Sequence, residues 1–273
     1  MTTSGETRPP AVGGLFYPGS ALELAAEVRT LLAAVPARAA TPGLLKALIV
    51  PHAGYRYSGP VAASAYALLR RQRDTIRRVV LLGPVHRVPV RGLALPAAQA
   101  FATPLGTLPI DREAVSQLLA LRQVSVSRAA HAEEHSLEVQ LPFLQEVLGA
   151  FSLVPLAVGD ASPEEVAEVI ELLWGGPETL IVVSSDLSHY LPYEQARRID
   201  AETCAAITSL AHSISHEEAC GGTPINGLML AARRHQLAPT LLDLRSSGDT
   251  SGDRGRVVGY AAFAFREEAP HVC

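Results

Sequence analysis

The chain reads as short apolar runs alternating with amphipathic stretches, the pattern of an α/β protein. Leu44–Val50 (LLKALIV) is rich in branched residues and stops at Pro51, as a strand buried on both faces does. His52 falls in the loop that follows. After Pro60 the small and apolar residues of VAASAYALLRR predict a helix, and Val79–Gly83 (VVLLG) predicts the next buried strand, with His86 just past its end. The alternation recurs in the second half. There SLVPLAV predicts a strand, PEEVAEVIELLW a helix starting after Ser162, and Thr179–Ser185 (TLIVVSS) a further strand that runs directly into Asp186 and His189. A helix is expected over Glu194–Leu210, and another from Thr223 as N-cap and Pro224 as first helical residue, with Cys220 in the loop before it. A strand near Leu241–Leu244, the polar loop SSGDTSGDRG and the strand RVVGYAAFAF complete the chain, while Leu93–Ser127 predicts hairpin-like excursions.

Strands alternating with helices imply a sheet covered on both faces, and such sheets bind ligands beyond the carboxyl ends of their strands. The loops at His52, His86 and Asp186/His189 all sit at such ends. Gly and Pro are scattered singly, without a linker tract, so the 273 residues are expected to form one domain over residues 1–273, with residues 1–10 as a flexible start.

Composition narrows the partners. Hydrophobic residues make up 48% and charged residues 18%, enough apolar material for a core. A net charge of −4 without a clustered Lys/Arg face argues against nucleic acid and anionic membrane, leaving a small-molecule substrate or a protein as the expected partner. The start MTTSGETRPPAVGG lacks the apolar core of a signal peptide and no long apolar span follows, so a cytoplasmic location is expected. Cys204, Cys220 and Cys273 are too widely spaced for a disulfide framework or a CxxC knuckle, so cysteine chemistry would involve one thiol. Cys204 falls within a helical pattern and Cys273 is the last residue, which leaves Cys220.

Two histidines past separate buried strands and a cysteine before a helix can meet in one pocket and bind a transition metal; equally, each histidine can cap a strand end. A thiol at a helix N-terminus is expected to have a lowered pKa and thiolate character, the alternative being a buried, inert cysteine. Asp186 and His189 have the form of an acid/base pair in which the carboxylate orients the imidazole; a helix-capping Asp beside a surface His fits the spacing as well. HAEEH places His131, Glu134 and His135 in the order H-x-x-E-H, the inverzincin signature, which would make the chain a zinc hydrolase with Glu134 as general base. That reading requires both histidines on one helical face, whereas a helix here starts only near His131. The glycine-bearing loops PHAGYRYSG, CGGTPING and SSGDTSGDRG lack P-loop spacing, so nucleotide binding has no support.

RPPAVGGLFYP, PHAGYRYSGPVAASAY, GPVH, EEHSLEVQLPFL, SSDLSHY, CGGTPING and VVGYAAFAF, in this order, resemble the Memo family, known in prokaryotes as AmmeMemoRadiSam system protein B. The resemblance implies a fold similar to class III extradiol dioxygenases: a single-domain three-layer α/β/α sandwich with a largely parallel or mixed central sheet. It also implies metal ligands at His52, His86 and Cys220, a pocket carboxylate and histidine at Asp186 and His189, and an EHS motif beside the metal at Glu134 and His135. Val85 stands where many members carry Asn. Sulfur donation favours iron, copper or zinc over magnesium or calcium. The expectation is therefore an Fe(II) protein, with copper or zinc as alternatives, performing redox or dioxygenase-like chemistry on a small substrate, His189 moving protons. The alternatives are a non-catalytic metal-binding or protein-interaction role and the zinc hydrolase. The prokaryotic name further implies a partner protein in a radical-enzyme system.

Overall fold

The computed structural model describes residues 6–37, 42–211 and 213–267. The strands are β1 (Thr7–Arg8), β2 (Leu45–Val50), β3 (Arg78–Pro84), β4 (Leu93–Leu95), β5 (Ala100–Thr103), β6 (Gly106–Pro109), β7 (Val124–Val126), β8 (Ser152–Val158), β9 (Thr179–Ser184), β10 (His189–Leu191), β11 (Leu237–Ser246) and β12 (Val257–Glu267). The helices are α1 (Ala21–Ala33), α2 (Tyr55–Tyr66), α3 (Arg112–Leu118), α4 (Arg128–Ala132), α5 (Leu141–Val147), α6 (Pro163–Leu172), α7 (Tyr193–Ser209), α8 (Gly222–Arg234) and α9 (Ser247–Thr250), with 3₁₀ turns at Ala67–Gln72 and Glu138–Gln140.

Nine strands form one mixed sheet in the order β10-β12-β2-β9-β3-β8-β4-β7, with β11 pairing β12. Its centre is parallel, because β2, β9, β3 and β8 run the same way, while β12 and β4 flank them antiparallel. The period-two alternation of each central strand feeds two cores. Leu48 and Val50 with Val79 and Leu81 face α1, α2 and α5, whereas Ala47 and Ile49 with Val80 and Leu82 face α6, α7 and α8. Helices on both faces make the three-layer α/β/α arrangement expected from the sequence. A separate hairpin, β5–β6, takes β1 as its parallel third strand.

Several boundaries differ from expectation for identifiable reasons. α2 begins at Tyr55 and carries Pro60 inside it, because the Tyr55 amide donates to Phe16 O at 2.8 Å and its buried ring donates from the hydroxyl to Val139 O. Tertiary anchoring outweighs the proline signal here. Thr223 is not the N-cap of α8: the helix starts at Gly222 behind Gly221, and the Thr223 hydroxyl meets the His216 ring. The α6 start is as read, with Ser162 and Glu165 forming a capping box. In the 93–127 region a hairpin does form, yet β4 and β7 join the main sheet and α3 lies between.

Residues 6–10, expected as flexible, include β1, and Arg8 is buried with Nη1 on Glu138 Oε2 at 2.5 Å. Its Nε and Nη2 donate to the carbonyls of His131 and Glu134, both at 2.6 Å, so this strand braces the EHS segment. Residues 1–5 and Cys273 lie outside the described residues. Cys204 is buried on α7, and among the described residues no helix is long and apolar enough to cross a membrane.

Candidate metal centre

β2, β9 and β3 are adjacent and parallel, so their carboxyl ends open at one place. Pro51–His52 follows β2, Val85–His86 follows β3, and Ser185–Asp186 follows β9. The Cys220 loop descends onto the same place from the start of α8. Gly221 makes that approach feasible: a Cβ there would lie 2.6 Å from Ser185 Cβ and 2.9 Å from Ser184 O. Its amide instead donates to Ser185 Oγ at 2.9 Å.

His52, His86 and Cys220 each offer a ligand atom, all within 4.8 Å of one another. Cys220 Sγ is 3.4 Å from His52 Nε2. An ion bound tetrahedrally at about 2.3 Å from sulfur and 2.05 Å from nitrogen would separate the two donors by about 3.6 Å. The pair already stands at coordination spacing.

Hydrogen-bond accounting settles which nitrogen of His52 is free. The Ser184 hydroxyl donates to Ser136 O at 2.6 Å and accepts from Gln140 Nε2 at 2.8 Å. Its proton is thereby engaged, so the 2.8 Å contact with His52 Nδ1 has the ring as donor. Nε2 of His52 keeps its lone pair, facing the thiol. His86 is oriented in a similar way, with Nδ1 2.9 Å from Glu134 Oε1. Glu134 also accepts the amides of His86 and Ser136, at 2.6 and 2.9 Å. Burial alone would raise its carboxyl, but the His86 hydrogen bond and charge and these amides together hold it down at about 2.

His135 completes a histidine cluster. Its ring centroid lies 4.6 Å from that of His86 and 5.4 Å from that of His52, and its Nδ1 is 3.3 Å from Glu134 Oε1. Burial lowers its pKa to about 4, keeping it neutral. His86, Glu134 and His135 thus form a second set able to hold an ion, overlapping the first at His86. The centre runs from fully buried His52 through half-buried Cys220 to exposed His86, so one side is open to solutes.

Three expectations are corrected. For Cys220, burial and then the Asp186 carboxylate push the thiol up to about 12, outweighing the Gly221 amide at the helix start, which fits the buried-cysteine alternative rather than the thiolate. Asp186 does not orient His189: its Oδ1 accepts the His52 amide at 2.7 Å, the Ala53 amide also bonds it, and the His189 ring bonds the Leu187 carbonyl. Asp186, buried, is raised to about 7, and burial lowers His189. The H-x-x-E-H reading fails because α4 ends at Ala132, leaving Glu134 and His135 off the helix. His131 turns away, with Nε2 on Ala94 O at 2.8 Å and its ring edge-on to Phe101.

Ser184, Gln140 and Ser136, which orient His52, had no role assigned from sequence. Their signal was position, since Ser184 ends a buried strand and Gln140 lies inside the EHS-containing motif.

The family profile described as Memo-like protein matches residues 8–264. A MEMO1 family protein of Methanopyrus kandleri is 36% identical over 282 residues, covering 95% of this chain and 99% of that protein. One from Aeropyrum pernix is 37% identical over 285 residues, covering 93% and 98%, and one from Aquifex aeolicus is 35% identical over 271, covering 94% and 98%. Among solved structures, an uncharacterized protein from Escherichia coli K12 aligns with a TM-score of 0.54 at 15% identity, over 81% of this chain and 99% of that one, a likeness of fold. With matches spanning nearly its full length, the chain belongs to the Memo family.

Proposed function

We propose that this chain is a mononuclear metalloprotein whose ion is held by His52 Nε2, His86 Nε2 and Cys220 Sγ, iron(II) being the resident metal, and that it performs oxygen-dependent or redox chemistry on a small substrate. The supporting observation is the hydrogen-bond pattern: His52 gives its Nδ1–H to Ser184 and turns a bare Nε2 to the thiol, while His86 is held through Nδ1 by Glu134. Ligating histidines are oriented in this way. Two imidazoles and one sulfur form a donor set suited to iron, copper or zinc rather than magnesium or calcium. Iron(II) bound there would supply one-electron chemistry and oxygen activation.

The chain's own residues do the rest. Cys220 must lose its proton on metal uptake, so binding releases a proton. His135, neutral and with Nδ1 turned to Glu134, presents Nε2 as an acceptor for a substrate hydroxyl or amine. His189, with one nitrogen on Leu187 O, offers the other as a base, and Asp186 is poised to exchange a proton near neutral pH.

Elemental analysis of anaerobically purified protein, beside the His52→Ala/His86→Ala/Cys220→Ala variant, tests the reading. Near-stoichiometric iron that disappears in the variant supports it, and oxygen uptake reduced in His189→Ala with metal retained supports the proton role. Metal binding without oxygen consumption over a broad substrate panel would instead favour a non-catalytic metal-binding protein.

A further inference from the structure

The opposite end of the sheet carries a second concentration of charge. Residues 70–78 (RRQRDTIRR) contain five arginines, a basic run at odds with the expectation of no clustered Lys/Arg face. Three of the five are engaged: Arg73 donates to Glu146 O, Arg77 to its neighbour Ile76 O, and Arg78 pairs with Asp111 at 2.8 Å. Arg70 and Arg71 have no carboxylate partner among the described residues, and they line a cavity of about 440 Å³ together with Arg266 from the end of β12. That volume falls in the range of small-molecule sites. Val35, Pro36 and Leu68 supply an apolar wall.

The cavity is built rather than incidental. Arg266 Nη1 donates to Gly43 O at 3.2 Å, which fixes its guanidinium. Gly43, at φ +89, approaches β12 so closely that a Cβ would lie 2.0 Å from Glu267 O. Gln72 Nε2 reaches Leu45 O at 3.4 Å and ties the arginine-bearing turn to β2. Burial and then the charge of Arg71 disfavour the Arg266 cation, so like charges converge with no described counterion.

We infer that this cavity binds a small organic phosphate, its head held by Arg71 and Arg266 with Arg70 at the rim, its apolar body against Val35, Pro36 and Leu68. Guanidinium forks match phosphate oxygens bidentately, and convergent cations suit a dianionic head better than a carboxylate. The length of β2, at about 3.3 Å per residue, sets this site on the order of 20 Å from the metal ligands. The inference does not depend on the proposed metal chemistry.

Calorimetric titration of the full chain with phenyl phosphate tests it. Saturable binding is expected that weakens with salt, falls about tenfold or more in Arg71→Gln and in Arg266→Gln, and persists in the His52→Ala/His86→Ala/Cys220→Ala variant. Phenol and inorganic phosphate should each bind more weakly than phenyl phosphate. Circular dichroism checks that the arginine variants fold; if Arg266→Gln does not, exposed Arg71 carries the test. No saturable binding at millimolar concentration, binding indifferent to Arg71→Gln, loss of binding in the metal-ligand variant, or benzoate binding as tightly as phenyl phosphate would overturn the inference.

Discussion

His52 and His131 are both buried histidines with one ring nitrogen hydrogen-bonded, yet they are suited to opposite tasks. His52 gives its Nδ1–H to Ser184 and leaves Nε2 opposite a thiol. His131 has Nε2 on the Ala94 carbonyl, so that nitrogen carries the proton, and Nδ1 is buried without a partner among the described residues. The first lone pair faces other donor atoms and the second faces none that could share an ion. Neighbouring donors, not the presence of a histidine in a motif, make a ligand. The same contrast runs through the HAEEH segment, where His131 packs under β4 while His135 joins the histidine cluster four residues later.

The comparison breaks most sharply under substitution. Cys220→Ala or His52→Ala is expected to abolish metal retention through dialysis, while His131→Ala keeps a full complement, both read by elemental analysis. Metal lost equally from His131→Ala would restore the hydrolase reading.

Acid probes His131 next. Burial lowers His131 from 6.5 to about 4 in the folded protein. A depressed histidine pKa means the unfolded chain binds the proton first, so the stability contribution is intact above pH 6.5 and is lost as pH falls from 6.5 toward 4. The loss should reach about 3 kcal/mol by pH 4. Urea unfolding of His131→Leu across this range should show a slope flatter by that amount than the parent. Parallel curves would mean that the ring is already solvated.

Glu134→Gln probes the support of His86. The amide oxygen can still accept from Nδ1, but its NH₂ would then confront the His86 amide that Oε2 now accepts. Tenfold to hundredfold weaker metal binding is expected, typical for loss of a ligand-orienting carboxylate. Competition with a chelator measures it, and unchanged affinity would remove Glu134 from the centre.

Much of this was legible in the sequence because apolar runs are local signals. β3, β8 and β9 lie where VVLLG, SLVPLAV and TLIVVSS put them, and those strand ends place His86 and Asp186 in adjoining loops. α1 is absent from the sequence-based expectations although Leu24, Val28 and Leu32 recur every fourth residue behind the N-cap Ser20. What could not be read is long-range. The Asp186 carboxylate lies near His189 in sequence but bonds the His52 amide, 134 residues away, and Arg8 reaches Glu138 across 130 residues. Cys220 shows the same limit: a helix start is a local feature that favours a thiolate, whereas the burial that outweighs it is made by the whole fold.

Ser184→Ala should give the smallest of these effects, and the reason bears on how the centre is tuned. Ser184 Oγ is a neutral acceptor, whereas Glu134 offers a carboxylate, and hydrogen bonds to charged groups contribute about 1.5–3 kcal/mol against about 0.5–1.5 for neutral pairs. Removing the hydroxyl frees His52 to protonate at Nε2 instead, and it leaves a Gln140 amide hydrogen to find another acceptor beside Pro51 O. A buried ring that must choose its tautomer again should bind metal up to about tenfold more weakly, with the protein still folded. Nitrogen-15 shifts of the His52 ring report the tautomer directly. Protonation staying at Nδ1 in the variant, with affinity unchanged, would mean that the surrounding backbone rather than Ser184 sets which nitrogen faces the thiol.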